Sequence, residues 1–254
     1  MVDVAGQPFP GRADMWLDDG VVVRSHATAA VATIEWIHRF LSRLEFNAPK
    51  PVPYFDGTSV AVVDGVAWSA VSYVEGEIVG WSAEPSMFEL GAFLAAFHTA
   101  ARVVEVDTQQ SSAFPVAMPS AGAAQRPHVI HGDFTNHNVL AAGSPPRPRG
   151  VIDFGNAYIE APLFDLGAAL WRSGRPAQDV HEFDPQRIAA YVDGYASVLT
   201  LSRDDRAAVA FYLRARGRQI IAKQASRGIV DDGPRRKLAW LARSHDRLVK
   251  TLAG

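Results

Sequence analysis

The chain has 254 residues, 48% of them hydrophobic and 20% charged, the balance of an ordinary soluble globular protein. A formal net charge of −2 gives no electrostatic footprint for nucleic acid, and the absence of cysteine excludes disulfides and thiolate metal sites. The opening MVDVAGQPFPGRAD lacks the basic and apolar blocks of a signal peptide, and the most apolar helical stretch, Phe88 to Ala101, is interrupted by Glu89 and His98 and too short for a bilayer. A cytoplasmic protein with neither nucleic acid nor membrane as partner is therefore expected. Oligomeric state is left open.

Up to about residue 80 the sequence reads as strands around one helix. Asp19-Gly20 before Val21-Val22-Val23 predicts a hairpin, and Asp64-Gly65 joins two further strands. From Thr28 to Leu44, Val31, Ile34, Ile37, Leu41 and Leu44 recur at helical spacing, with Arg39 and Arg43 outside the apolar face. Pro49, Pro51 and Pro53 then forbid more helix. Gly76 and Gly80 punctuate YVEGEIVGW, and a second helix is expected from Glu84 to Arg102 with Phe88, Leu94 and Phe97 on one side.

The Ser-, Ala-, Pro- and Gln-rich stretch from Asp107 to Pro127 reads as a surface loop. Two short strands follow, Asn138–Ala141 and Val151-Ile152, around the turn-rich GSPPRPRG. After Phe164 the chain reads as successive amphipathic helices, the last being PRRKLAWLARSHDRLVKTL. The fold class is thus α+β, a small β-rich lobe (residues 1–76) before a larger helical lobe (residues 77–254).

The chemistry lies in two segments, HGDFTNHNVL and VIDFGNA. Asp133, with Asn138 five residues later at a loop-to-strand junction, can place both side chains in one cleft. The aspartate would accept a hydroxyl proton and the asparagine oxygen would ligate a hard cation. Asp153 adds a carboxylate at the end of the neighbouring strand, and Mg²⁺ asks for few protein oxygens when phosphates supply the rest. Each piece alone reads equally as a strand-end cap or a loop turn. Their order and spacing together match phosphoryl transfer, which needs a positioned nucleophile and bridging metal rather than covalent chemistry by the protein.

These two segments, the second extended to VIDFGNAYIEAPLFDLG, resemble the aminoglycoside phosphotransferase and choline kinase-like family, which shares the protein kinase-like two-lobe fold. The resemblance implies a small-molecule hydroxyl acceptor, with ATP or GTP and Mg²⁺ as cofactors. It implies Asp133 as catalytic base, Asn138 and Asp153 as metal ligands, and His131 and Asp165 as structural braces. YVEGE resembles the family's hinge, so Ser72, Tyr73 and Val74 would receive the adenine. The family's third-strand basic residue is met by Arg24 in place of lysine, the four lysines being Lys50, Lys223, Lys237 and Lys250. Glu35 is its expected carboxylate partner.

No G-x-G-x-x-G is present. A shortened hairpin, a phosphate loop from the main chain of Gly11 to Ala13, and a loss of nucleotide binding all stay open. His137 reads as a backbone-bonded loop residue and His98 as a surface or helix-end residue. Asp179, Glu182 and Asp184 are candidates for an amine-binding rim, as in antibiotic-modifying relatives, or form a solvated loop. The alternatives to an aminoglycoside-like acceptor are a metabolic kinase of choline, homoserine or a sugar amine, and a catalytically impaired nucleotide-binding module.

Overall fold

The computed structural model describes residues 6–8, 12–79, 85–106 and 126–253. Most of the expected surface loop and Gly11, Gly80 and Glu84 lie outside these residues. Both Asp-Gly turns form as read: Asp19 and Gly20 have φ of 42° and 75°, Asp64 and Gly65 51° and 75°. Positive φ at both central residues matches the twist of a tight hairpin. The turns organise β1 (Gln7–Pro8), β2 (Met15–Asp18), β3 (Val21–Ala27), β4 (Val60–Val63) and β5 (Val66–Ser72) into one antiparallel sheet, ordered β1-β2-β3-β5-β4. Arg24 sits in its middle strand, opposite Met15 and Ser69.

Helix α1 (Val31–Arg43) buries Ile34, Ile37 and Leu41 as its periodicity requires, and also Trp36, His38 and Phe40. The second buried side arises because Phe154, from the far lobe, packs on Phe40 with ring centroids 6.3 Å apart. Lys50 donates its ammonium protons to the carbonyls of Leu41 and Leu44, closing the C-terminal end of the helix region.

The C-terminal part begins where β6 (Glu77–Ile78) pairs with β8 (Val139–Ala142), itself paired to β9 (Arg147–Val151). Two short strands not read from the sequence, β7 (His128–Ile130) and β10 (Tyr158–Glu160), pair beside them. Around these lie α2 (Met87–Ala101), α3 (Pro162–Ser173), α4 (Pro185–Val198), α5 (Arg203–Ser226), α6 (Gly233–Arg243) and α7 (His245–Ala253). The last amphipathic run, read as one helix, is broken at Ser244.

Helix α2 starts on a reciprocal capping box between Ser86 and Glu89. Its buried side is Leu90, Leu94 and Phe97, whereas Phe88, expected there, is 47% exposed. The reason is close packing on α4. A Cβ at Gly91 would stand 1.9 Å from the Tyr191 carbonyl oxygen, and one at Gly194 1.9 Å from that of Phe88. Two bare glycines let the backbones touch, which turns the Phe88 side chain outward.

His38 ties α1 to the lead into β4 through its Nδ1 and the Ser59 hydroxyl, 2.8 Å apart. Burial, with a smaller contribution from the charge of His26, pulls its pKa down from 6.5 to about 4. Between those values the unfolded chain binds more protons than the native one, so stability must fall as pH drops from about 6.5 towards 4. Denaturant titrations across that range should show the fall, and His38→Gln should flatten it. A slope unchanged in the variant would assign the pH dependence elsewhere.

Candidate active site

Asp165 organises the His131–Asp133 loop. It lies in the first turn of α3, fully buried, and its carboxylate accepts the backbone N–H groups of His131 (2.6 Å) and Gly132 (2.8 Å). His98 Nε2 stands 3.3 Å away on the same carboxylate, and its Nδ1 is 2.8 Å from the Tyr195 hydroxyl. A carboxylate can only accept, so Nε2 carries the proton and Nδ1 accepts from the tyrosine. Burial pushes Asp165 towards the neutral form; the His98 hydrogen bond and the His131 backbone donor oppose it, and its pKa is lowered. His98 lies in the last turn of α2, as read from the sequence, but not at the surface. It is 0% exposed and braces Asp165.

The ordered loop carries the two motifs together. His131 Nε2 donates to the Ile152 carbonyl oxygen at 2.9 Å, and its Nδ1 accepts the Asp133 backbone N–H at 3.3 Å. One buried imidazole thus links the base loop to the residue before Asp153. Phe154 packs against His131 with centroids 4.7 Å apart and against Phe97 at 6.0 Å, while Phe134 stacks on Phe97 at 5.9 Å. These rings fix the chain on either side of Asp153, which itself holds a left-handed conformation, φ 62° and ψ 64°. Non-glycine residues adopt it rarely and where their surroundings impose it.

Asn138 donates its Nδ2 to the Asp133 carbonyl oxygen at 2.9 Å, which leaves Oδ1 as an acceptor. That oxygen and the Asp153 carboxylate have the hard-oxygen chemistry that suits Mg²⁺ beside phosphate. Among the described residues no group of three or more His, Cys, Asp or Glu side chains is placed to hold a metal. Any cation here would rest on these two residues with ligand or water oxygens completing its shell.

Arg24 reaches across from β3. Its Nη1 lies 3.4 Å from Asp153 Oδ1 and its Nε 3.2 Å from Asp14 Oδ2. Arg12 joins the same carboxylate at 3.1 and 3.2 Å. The Arg12 hydrogen bond, helped by the charges of Arg12 and Arg24, holds Asp14 down at about 2 despite partial desolvation. Asp14 therefore occupies the partner position expected of Glu35. Glu35 is exposed and makes no ion pair among the described residues.

At the hinge, the Ser72 and Tyr73 amides are committed to the carbonyls of Lys50 and Gly20, both at 2.7 Å, and Val74 is buried beside Gly150. Asp184 caps α4 by accepting the Gln186 N–H at 2.8 Å, while Asp179 and Glu182 are exposed. His137 is an exposed residue of the loop.

One site residue escaped the sequence reading. Arg216 of α5 donates Nη2 to Asp133 Oδ1 at 2.6 Å and Nη1 to the Gly132 carbonyl oxygen at 3.1 Å, with Gln219 Oε1 at 2.6 Å bracing it. A signal was available: Arg214, Arg216 and Arg218 lie in a helix whose Tyr212, Leu213, Ala215 and Gly217 are buried, and a cation on such a helix needs a partner.

Replacing Asp165 by asparagine keeps the shape but turns one acceptor oxygen into a donor facing N–H groups. Asp165→Asn should lower unfolding free energy by about 2–4 kcal/mol, measured by urea denaturation. Loss below about 0.5 kcal/mol would show that the carboxylate does not brace the loop.

The sequence pattern of the phosphotransferase enzyme family matches residues 100–212, the stretch that carries both motifs. No curated protein matches the chain. Solved structures do. A microcompartment-associated aminopropanol kinase superposes with a TM-score of 0.66 at 17% identity, covering 94% of this chain and 89% of that one. An amicoumacin kinase in complex with AMP-PNP, Ca²⁺ and its ligand gives 0.66 at 14% identity, covering 93% and 84%. The GDP complex of aminoglycoside 2'-phosphotransferase-IIIa gives 0.63 at 16%, covering 96% and 94%. The resemblance carried by the two motifs is borne out: residues 100–212 bear the pattern of the phosphotransferase enzyme family, and the chain around them has the protein kinase-like fold of the small-molecule kinases.

Proposed function

We propose that the protein transfers the γ-phosphoryl group of ATP or GTP to a hydroxyl of a small molecule. The observation that carries this reading is the His131 link, which holds the Asp133–Asn138 loop and the Asp153 loop against each other, with Arg24 facing Asp153 from the other lobe.

Asp133 Oδ1 is engaged by Arg216, so Oδ2 is the atom that takes the acceptor's hydroxyl proton. The freed acceptor oxygen bonds to the γ-phosphorus, and the bond to the β-bridging oxygen breaks, releasing nucleoside diphosphate. Mg²⁺, when bound, neutralises charge on the transferring phosphates, and Asn138 Oδ1 with the Asp153 carboxylate would hold it. Arg24 and Arg12 supply the cationic grip on the donor's phosphates from the small lobe, a role in which arginine offers a two-pronged donor where lysine offers a point charge. The adenine or guanine edge meets the backbone around Ser72, Tyr73 and Val74, with Val74 the residue whose amide is not committed among the described residues. The donor is thus assigned to residues 1–76 and the acceptor to residues 77–254. Among the described residues no helix is long and apolar enough to cross a membrane.

Asp133→Asn should lower kcat by about 10²–10⁴-fold while circular dichroism and nucleotide affinity stay near the parent values. Turnover within a few-fold of the parent removes Asp133 from the chemistry. Asp153→Asn should weaken Mg²⁺-nucleotide binding by at least about tenfold in a thermal-shift titration, and equal affinity would remove it from the metal site. Arg216→Ala should cost about tenfold in kcat, and nothing further once Asp133 is already asparagine, because the two act as one unit. Additive losses in the double variant would make Arg216 a purely structural residue.

A further inference from the structure

Two arginines share one carboxylate beside Asp153. Asp14 Oδ1 accepts Arg12 Nε at 3.1 Å, and its Oδ2 accepts Arg12 Nη2 and Arg24 Nε, both at 3.2 Å. The carboxylate is itself seated on the sheet. Asp14 lies one position before β2, and its carbonyl oxygen accepts the Ser25 amide at 2.9 Å, next to the Met15–Arg24 pairing of β2 and β3. Main chain and side chain thus both tie Asp14 to the strand that carries Arg24. Across the ladder Arg24 is opposite Ser69, whose hydroxyl is 2.8 Å from His26 Nε2. From the small lobe, Asp14 is therefore the group that sets the direction of the Arg24 guanidinium.

The tie leaves guanidinium edges uncommitted. Arg24 Nη1 lies 3.4 Å from Asp153 Oδ1, while Arg24 Nη2 and Arg12 Nη1 bind nothing among the described residues. Two cations on one carboxylate leave a surplus positive charge, and the second carboxylate in reach, Asp153, is a metal-ligand candidate. Stability does not call for such a set. Its side chains are between 33% and 44% exposed, where ion pairs contribute little, and two guanidiniums on one anion repel each other. Free guanidinium edges fit phosphate oxygens, to which they can donate two parallel N–H groups. The sequence supplies no G-x-G-x-x-G whose main chain could cover phosphates in their place.

We propose that Asp14 is a positioning residue, which holds Arg12 and Arg24 together as one clamp on the donor's phosphates. The inference rests on the phosphotransferase reading and adds to it the group that aims both arginines. When phosphates enter, Arg24 Nη1 exchanges Asp153 for a phosphate oxygen, while its Nε stays on Asp14. Asp153 is then free to serve as a metal ligand. The negative charge of Asp14 gives the proposal a definite sign, because an anion beside a polyphosphate repels it. If charge alone counted, removing the carboxylate would tighten nucleotide binding. As the anchor of the clamp, its removal must weaken that binding.

Isothermal titration of the full chain decides between the two signs. Asp14→Ala should weaken binding of Mg²⁺-ATP or Mg²⁺-GTP, and of Mg²⁺-tripolyphosphate, by about tenfold, and leave adenosine and guanosine within about twofold of the parent. Asp14→Glu, which keeps the charge, should recover part of the loss. In a chain already carrying Arg12→Gln and Arg24→Gln, Asp14→Ala should cost nothing further. Glu35→Ala should match the parent throughout. Tighter phosphate binding by Asp14→Ala overturns the proposal. So does an equal loss for the nucleosides, or in the background without the two arginines, either of which would make Asp14 a support of the fold. A loss in Glu35→Ala as large as that in Asp14→Ala returns the role to α1 and also overturns it. Tripolyphosphate binding is read without base recognition or turnover. A chain that binds it through these residues yet transfers no phosphoryl group keeps the clamp and loses the kinase reading alone; a parent chain that binds none of these phosphates loses both.

Discussion

The two motif loops of the larger lobe depend on one buried anion. The Asp165 carboxylate has no exposure and accepts from the His131 amide, the Gly132 amide and His98. An ion so placed is tolerable only when its oxygens are met by donors, and the first turn of α3 adds the favourable end of a helix dipole. Because the acceptors are fixed, the backbone from His131 to Asp133 is fixed. Gly132 is the cost of that geometry. Its φ is 75°, and a Cβ would meet the Asn156 carbonyl oxygen at 2.0 Å, so no other residue fits between the two loops. From there His131 passes the constraint to Ile152 and hence to Asp153. Base and metal-ligand candidates are thus held in register by a chain of hydrogen bonds that begins outside the cleft.

The small lobe meets this rigid frame through a softer contact. The Arg24–Asp153 pair spans 3.4 Å with the two side chains 33% and 41% exposed. Exposed pairs of this kind contribute little, so the phosphate oxygens of the proposed donor would take the arginine without a large penalty. Asp14, in turn, keeps Arg24 extended towards the cleft by holding its Nε. Glu35 cannot do so for a geometric reason. Ile34, Ile37 and Leu41 set the inward face of α1, and at about 100° per residue position 35 points away from it. A carboxylate in the segment before β2 replaces the one that the helix turns outward.

What the sequence made legible follows from how local each signal is. The two Asp-Gly hairpins, the apolar face of α1 and the two motif segments depend on neighbours within a few residues, and all can be read along the chain. The inward side of α2 could not, because Phe88 is turned out where Gly91 seats against the Tyr191 backbone and Gly194 against that of Phe88, about a hundred residues apart in sequence. His98 looked like a surface group for the same reason: its partners, Asp165 and Tyr195, are 67 and 97 residues away. Arg216 reaches Asp133 over 83 residues, from a helix buried along much of its length that shows no clear amphipathic face. Motifs announce which atoms react. They do not announce which distant side chains hold those atoms still.

The near-neutral net charge does not describe the charge at any one site. A total of −2 is compatible with a cationic, neutral or anionic ligand, because field strength at a site depends on which charges stand near it and how well water reaches them. In the small lobe Arg12 and Arg24 converge on Asp14, with Asp153 opposite, an arrangement that would change partners on entry of the phosphate chain of the proposed donor.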